Sequence, residues 1–151
     1  MKKSKYSISH AFIAGFIAIT ANTLLLKAAA LVHIKAEGGG LLKLFIRDTR
    51  VFSWLQTLFQ TSFFPFAFHY LTGFVMVGIY VYISPIFNLP GWLKGSLFSI
   101  FPWVLNGFIV LPALNQGILG SNTLSSSGIL YFFFANWIFG LLLGWIYGAF
   151  E

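Results

Sequence analysis

The sequence predicts an all-α integral membrane protein whose four transmembrane helices form an up-down bundle. Hydrophobic residues make up 58% of the 151 residues and charged residues only 8%, whereas an ordinary soluble domain is about 25% charged. Four apolar segments are also long enough to cross the hydrocarbon core, which takes roughly 20 helical residues. These observations argue against a soluble enzyme, a nucleic-acid-binding protein and a disordered chain. We expect one membrane domain over residues 1–151.

The four spans are predicted from the positions of the apolar residues. Backbone polar groups in lipid must be bonded internally, and long unbroken apolar runs favour helices over barrel strands. The first run is about 22 residues, longer than the 7–15 of a signal-peptide core, so we expect an uncleaved span. Pro102 lies inside the third span and is expected to kink it, which can open a cavity. The predicted spans are about 11–32, 64–87, 92–114 and 128–150.

The long connection between the first two spans has a pattern of its own. After a glycine run that ends at Gly40, apolar residues recur at helical spacing and are interrupted by cations. This pattern predicts an amphipathic helix over about 41–60 that lies in the headgroup region. A short helix packed over the end of the bundle is the alternative. The cations could bind an anionic lipid headgroup, and they are Lys43, Arg47 and Arg50.

The distribution of cations favours one orientation in the membrane only weakly. An up-down bundle places four cations on each side, so the positive-inside rule does not decide. The basic N-terminus and the uncharged loop 115–127 favour a cytoplasmic location for both termini. We expect an integral protein of a bacterial cytoplasmic (inner) membrane.

A few polar residues fall within the predicted spans, where they are costly and usually face the bundle interior. In an up-down bundle, Lys27 and His69 lie about 8 Å deep on one side, and the asparagines lie nearer the middle. They could be interhelical hydrogen-bonding residues, with the lysine reaching to the interface. They could instead line a hydrated vestibule that attracts an anion or a lipid headgroup. These candidate ligand-binding residues are Asn22, Lys27, His69, Asn106 and Asn136.

Small residues indicate where helices meet closely. Gly140, Gly144 and Gly148 recur every fourth residue on the last span, which allows close backbone approach. Ala14 and Ala18 lie on one flank of the first span. We expect these two flanks to form either a tight contact between the first and last helices or the seam of a homo-oligomer.

The chemistry available to the chain is narrow. It has no cysteine and three acids, none of them within a span, and it shows no metalloprotease, Walker or dinucleotide-binding motif. The three histidines lie near different heights, so a haem-binding pair is not expected. We therefore expect no catalytic residue, metal site, cofactor or nucleic-acid partner. The leading hypothesis is a non-enzymatic accessory, assembly or lipid-interacting component of a membrane complex. The alternative is a small channel or carrier for an anionic or polar solute.

Overall fold

A computed structural model describes residues 8–36, 40–48, 57, 59–61 and 63–150, and the elements in these ranges are helical. Four of the helices are long and apolar enough to span a membrane, as predicted from the sequence. Of the predicted cations, Arg50 lies outside the described residues, as do 49–56 and 58 of the predicted interfacial helix. The elements are α1 (Ile8–Leu31), α2 (Gly40–Asp48), α3 (Phe63–Ile83, continued by a 3-10 turn Ser84–Ile86), α4 (Gly91–Leu105) and α5 (Ser126–Gly148).

The third span changes its hydrogen-bond pattern after Pro102. This proline lies inside α4, where it has no N–H to donate to the preceding turn. The helix then continues as a π-helical turn over Asn106–Val110 and a last turn over Leu111–Ala113. Single π turns within helices are frequent at functional sites. The irregular turn places Asn106 at the end of the regular helix, facing the interior of the bundle.

The glycines of α5 pack against α4. A Cβ atom built on Gly144 would lie 2.7 Å from the backbone nitrogen and 2.8 Å from the Cα atom of Gly95, and one on Gly148 would lie 2.9 Å from the Cα atom of Gly91. These glycines therefore meet the third span, whereas the first and last helices pack against each other through other residues; the homo-oligomer seam stays a prediction. We call this contact the glycine seam, which consists of Gly91, Gly95, Gly140, Gly144 and Gly148.

Helix α1 packs against α3 and a different flank of α5. Ala14 and Ala18 are fully buried in a core cluster with Val77 of α3 and Leu143 of α5. Cross-helix hydrogen bonds also join α1 to its neighbours. The hydroxyl groups of Thr20 and Tyr70 lie 2.9 Å apart, Tyr131 donates to the Leu25 carbonyl at 2.8 Å, and Asn22 Nδ2 donates to the Ala135 carbonyl at 2.9 Å. The small residues of α1 thus allow contact with two helices at once.

Helix α2 contacts the bundle at α3 and at the π turn of α4. Arg47, in its last turn, donates a 2.6 Å hydrogen bond to the carbonyl of Ala113 at the end of the third span. A cation at such a position is favoured because the last carbonyls of a helix lack partners within the helix. These contacts correspond to the packed alternative for this segment, while its location in the headgroup region stays a prediction.

Candidate functional site

A cavity of about 400 Å³ lies between α1, α3, α4, α5 and the first turn of α2. Its volume is within the range of sites that hold small molecules. Apolar residues such as Ile19, Met76 and Phe139 line part of it. We call it the polar cavity, after the polar residues in its wall: Asn22, Thr23, Lys27, His69, Thr72, Asn106 and Asn136.

All five of the polar residues singled out from the sequence lie on the wall of this one cavity. They come from each of the four spans, and no two of the asparagines share a helix. Lys27 is exposed, His69 and Asn136 are half-buried, and Asn22 is only 6% exposed. The wall thus runs from an accessible lysine to an enclosed amide. That these residues bind a ligand stays a prediction.

Asn22 links α1 to α5 through its amide nitrogen, while its amide oxygen has no hydrogen-bond partner among the described residues. Its Nδ2 donates to the carbonyl of Ala135 at 2.9 Å in a buried hydrogen bond. Its Oδ1 accepts no hydrogen bond from any described residue. Because the residue lines the cavity and is otherwise enclosed, this oxygen has the cavity as its remaining environment.

Asn136, Thr23 and Thr72 donate hydrogen bonds to backbone carbonyls of their own helices. Asn136 Nδ2 donates to the carbonyl of Phe132 at 2.8 Å, Thr23 to that of Ile19 at 2.8 Å, and Thr72 to those of Phe68 and His69, both at 3.0 Å. The Oδ1 atom of Asn136, like that of Asn22, accepts no hydrogen bond among the described residues. The Oδ1 atoms of Asn22 and Asn136 are therefore acceptors without a protein partner on two residues that line the cavity.

Asn106 closes the cavity against α2. Its Oδ1 is buried and has no hydrogen-bond partner, and Gly40 is packed directly onto its amide. A Cβ atom at Gly40 would lie 3.0 Å from the Asn106 Cγ atom and closer still to its Oδ1. Gly40 is thus required by close approach. The first turn of α2, which includes Leu41 and Leu42, forms part of the cavity wall as a result.

The charged side chain that the described part of the cavity wall contributes is a cation. Lys27 contributes a cation, and it has no ion-pair partner among the described residues. The N-terminal turn of α2 adds a partial positive charge. Among the described residues that line the cavity, none is an aspartate or a glutamate. The described part of the chain also contains no cluster of three His, Cys, Asp or Glu residues that could hold a metal ion.

The basic residues of the connection do not reach this cavity. Lys43 is exposed on α2, and the guanidinium group of Arg47 bonds the end of the third span. Neither lines the polar cavity. Their proposed contact with an anionic headgroup would be made on the outer side of α2 and stays a prediction, as does that of Arg50, outside the described residues.

Sequence reasoning missed three parts of the wall. Thr23 precedes Lys27 by four residues and Thr72 follows His69 by three, so both share a helix face with a residue already singled out. That spacing was a usable signal. The contact between Gly40 and Asn106 gave no signal in the sequence, because it joins the connection between the first two spans to a residue 66 positions later. No family model, curated protein or solved structure compared with this chain matches it.

Proposed function

We propose that this small membrane protein is a non-enzymatic carrier or channel that binds a small anionic or polar solute in the polar cavity. One observation carries the proposal: five polar residues from four different spans line a single cavity of about 400 Å³, and the described residues of its wall include no acid. Ionisable groups within membrane spans usually mark solute or ion pathways. A positive wall favours an anion, and the amide groups provide hydrogen bonds to replace part of its hydration.

A purely structural role for the polar residues would have a different geometry. Asparagines that only join helices are expected to bond across helix contacts and to leave no space between them. Here the three asparagines form no hydrogen bond with one another, and only Asn22 bonds to another helix. Asn136 bonds within α5, and Asn106 has an amide oxygen without a partner. This arrangement supports the solute-binding hypothesis over helix packing alone.

Uptake into proteoliposomes tests the proposal. The probes are radiolabelled phosphate, malonate, 4-hydroxybutyrate and 4-aminobutyrate at pH 8, compared with protein-free liposomes. We expect uptake of at least one probe to be faster with the protein. Lys27→Met should slow that uptake about tenfold or more, since a charge-assisted hydrogen bond is lost. Lys43→Met is the matched control, because Lys43 is exposed and does not line the cavity.

Two results would overturn the proposal. One is uptake of all four probes at the rate of protein-free liposomes. The other is uptake by Lys27→Met at the rate of the wild-type protein. The accessory-subunit hypothesis is tested separately by purification in a mild detergent with mass spectrometry of bound proteins and lipids. A stoichiometric protein partner that buries Lys27 would favour that hypothesis over transport.

A further inference from the structure

The hydrogen bonds within the polar cavity restrict which solutes fit it. We infer that the solute is a small acid that carries a hydrogen-bond donor, a hydroxyl or ammonium group, a few bonds away from its anionic group. This inference rests on the proposed function, and it adds the chemical class of the solute. It follows from which polar atoms of the cavity-lining residues are hydrogen-bonded within the protein and which have no partner there.

The asparagine end of the cavity presents acceptors. Asn22 and Asn136 each direct an amide N–H group to a backbone carbonyl, which orients their Oδ1 atoms away from that bond. Thr23 and Thr72 likewise use their hydroxyl protons on carbonyls. An amide oxygen accepts up to two hydrogen bonds, and those of Asn22 and Asn136 receive none from described residues. An acceptor that a bound solute shields from water is costly unless the solute donates to it.

The lysine end presents donors and positive charge. The ammonium group of Lys27 has three N–H donors and no acceptor. The N–H groups in the first turn of a helix have no partner within the helix, and Gly40 and Leu41, in the first turn of α2, also line the cavity. These groups suit a carboxylate or a phosphate.

The two ends are close enough for one small molecule. Asn22 and Lys27 are five residues apart on α1, which is about 7.5 Å along the helix axis. A four-carbon acid with a terminal hydroxyl or ammonium group has a comparable length. A phosphatidylethanolamine headgroup has the same chemistry, because its ammonium lies two carbons from a phosphate oxygen. The shared feature is an acid with a nearby donor, and the source is either a free solute or this lipid.

Matched ligands test the inference without any transport step. Butyrate, 4-hydroxybutyrate and 4-aminobutyrate differ only at the terminal carbon, and their binding to the full chain in phosphatidylcholine nanodiscs can be measured by titration calorimetry. We expect the two substituted acids to bind about tenfold or more tightly than butyrate, since each adds a hydrogen bond to an otherwise unsatisfied acceptor. Asn136→Leu should reduce that preference to about twofold or less. Asn122→Leu, at an exposed asparagine outside the cavity, should keep it.

Asn136→Asp provides a second variant, because it keeps an oxygen at this position. It should retain the preference for 4-aminobutyrate over butyrate. Repeating the titration in nanodiscs that contain phosphatidylethanolamine separates the two sources. Competition by this lipid assigns the site to the headgroup, and unchanged binding assigns it to a free solute; both results support the donor requirement.

Equal binding of butyrate and the substituted acids would overturn the inference and leave the proposed function standing. Absence of binding by all three, with no uptake of any probe, would overturn both.

Discussion

The two halves of the α4–α5 pair show opposite ways of using a helix contact. In one half, Gly95 and Gly144 bring the two backbones so close that a Cβ atom at either position would overlap the partner helix. In the other half, the same helices carry Asn106 and Asn136 on the wall of a cavity of about 400 Å³. The difference teaches that one pair of helices can pack backbone to backbone at one end, the closed half, and border a cavity at the other, the open half. Small residues allow the close packing, and Pro102 marks where it ends.

The closed half follows from residues with little or no side chain. Glycines four residues apart form a flat stripe, and two such stripes gain dispersion contacts along their whole length. Ser99 extends the α4 stripe by one further turn and is only 2% exposed. The open half begins three residues later, at Pro102, which interrupts the regular hydrogen bonding, and the π turn follows. Irregular backbone at such a depth is tolerated where it is buried in protein or lines a cavity.

The largest effect is expected from filling the closed half. Gly144→Leu should prevent α4 and α5 from packing, because the new Cβ would meet backbone atoms that cannot move aside. We expect a loss of folding free energy above about 3 kcal/mol, at the upper end of overpacking effects. The measurement is the thermal unfolding midpoint and the yield of monodisperse protein in detergent.

Gly78→Leu is the matched control for this substitution. Gly78 also lies within a span, but a Cβ built on it has no atom within 4 Å. We expect its unfolding midpoint to stay close to that of the wild-type protein. Equal behaviour of the two variants would contradict the close approach of α4 and α5.

A smaller effect on stability is expected in the open half. Asn22→Leu removes the only hydrogen bond that Asn22 donates to α5, and it should lower the free energy of unfolding by about 1 kcal/mol. Asn136→Leu removes a bond within α5 itself and should lower it less. Denaturation of both variants in the same detergent measures the difference. A larger loss for Asn136→Leu would indicate that this residue has a structural role that the hydrogen bonds do not show.

The smallest effect is expected at the outer end of the open half. Arg47→Ala removes an exposed hydrogen bond to the last turn of the third span, and exposed interactions of this kind contribute within about 0.5–1 kcal/mol. Lys43→Ala, at another exposed cation of α2, should change the unfolding midpoint even less. A loss above about 2 kcal/mol in Arg47→Ala would instead show that α2 is essential to the bundle.

The two halves also differ in how far the sequence predicted them. The four spans were predictable because long apolar runs have few other stable structures in water or lipid. The common location of Asn22, Asn106 and Asn136 could be anticipated from their similar depths. Depth is a property of one helix at a time, so it can be deduced without knowing which helices touch.

The partner of the α5 glycines was not predictable by the same reasoning. Gly91 follows Pro90 and has the sequence features of a turn, although with Gly95 and Ser99 it forms a second stripe of small residues four apart. Recognising two matching stripes would have favoured α4 as the partner of α5. The packing of α2 against Asn106 could not be predicted, because Gly40 ends a run of glycines, a pattern typical of a flexible loop.

Cysteine reactivity compares the two halves most directly, because the chain has no cysteine of its own. Thr72→Cys places a thiol in the wall of the polar cavity, and Ser99→Cys places one beside the glycine seam. In nanodiscs, a water-soluble maleimide should modify Thr72→Cys about tenfold or more faster than Ser99→Cys, since a buried site reacts only after local opening. Both thiols should react equally in denaturant. Equal rates in the folded protein, or faster labelling of Ser99→Cys, would contradict an accessible cavity beside a closed seam.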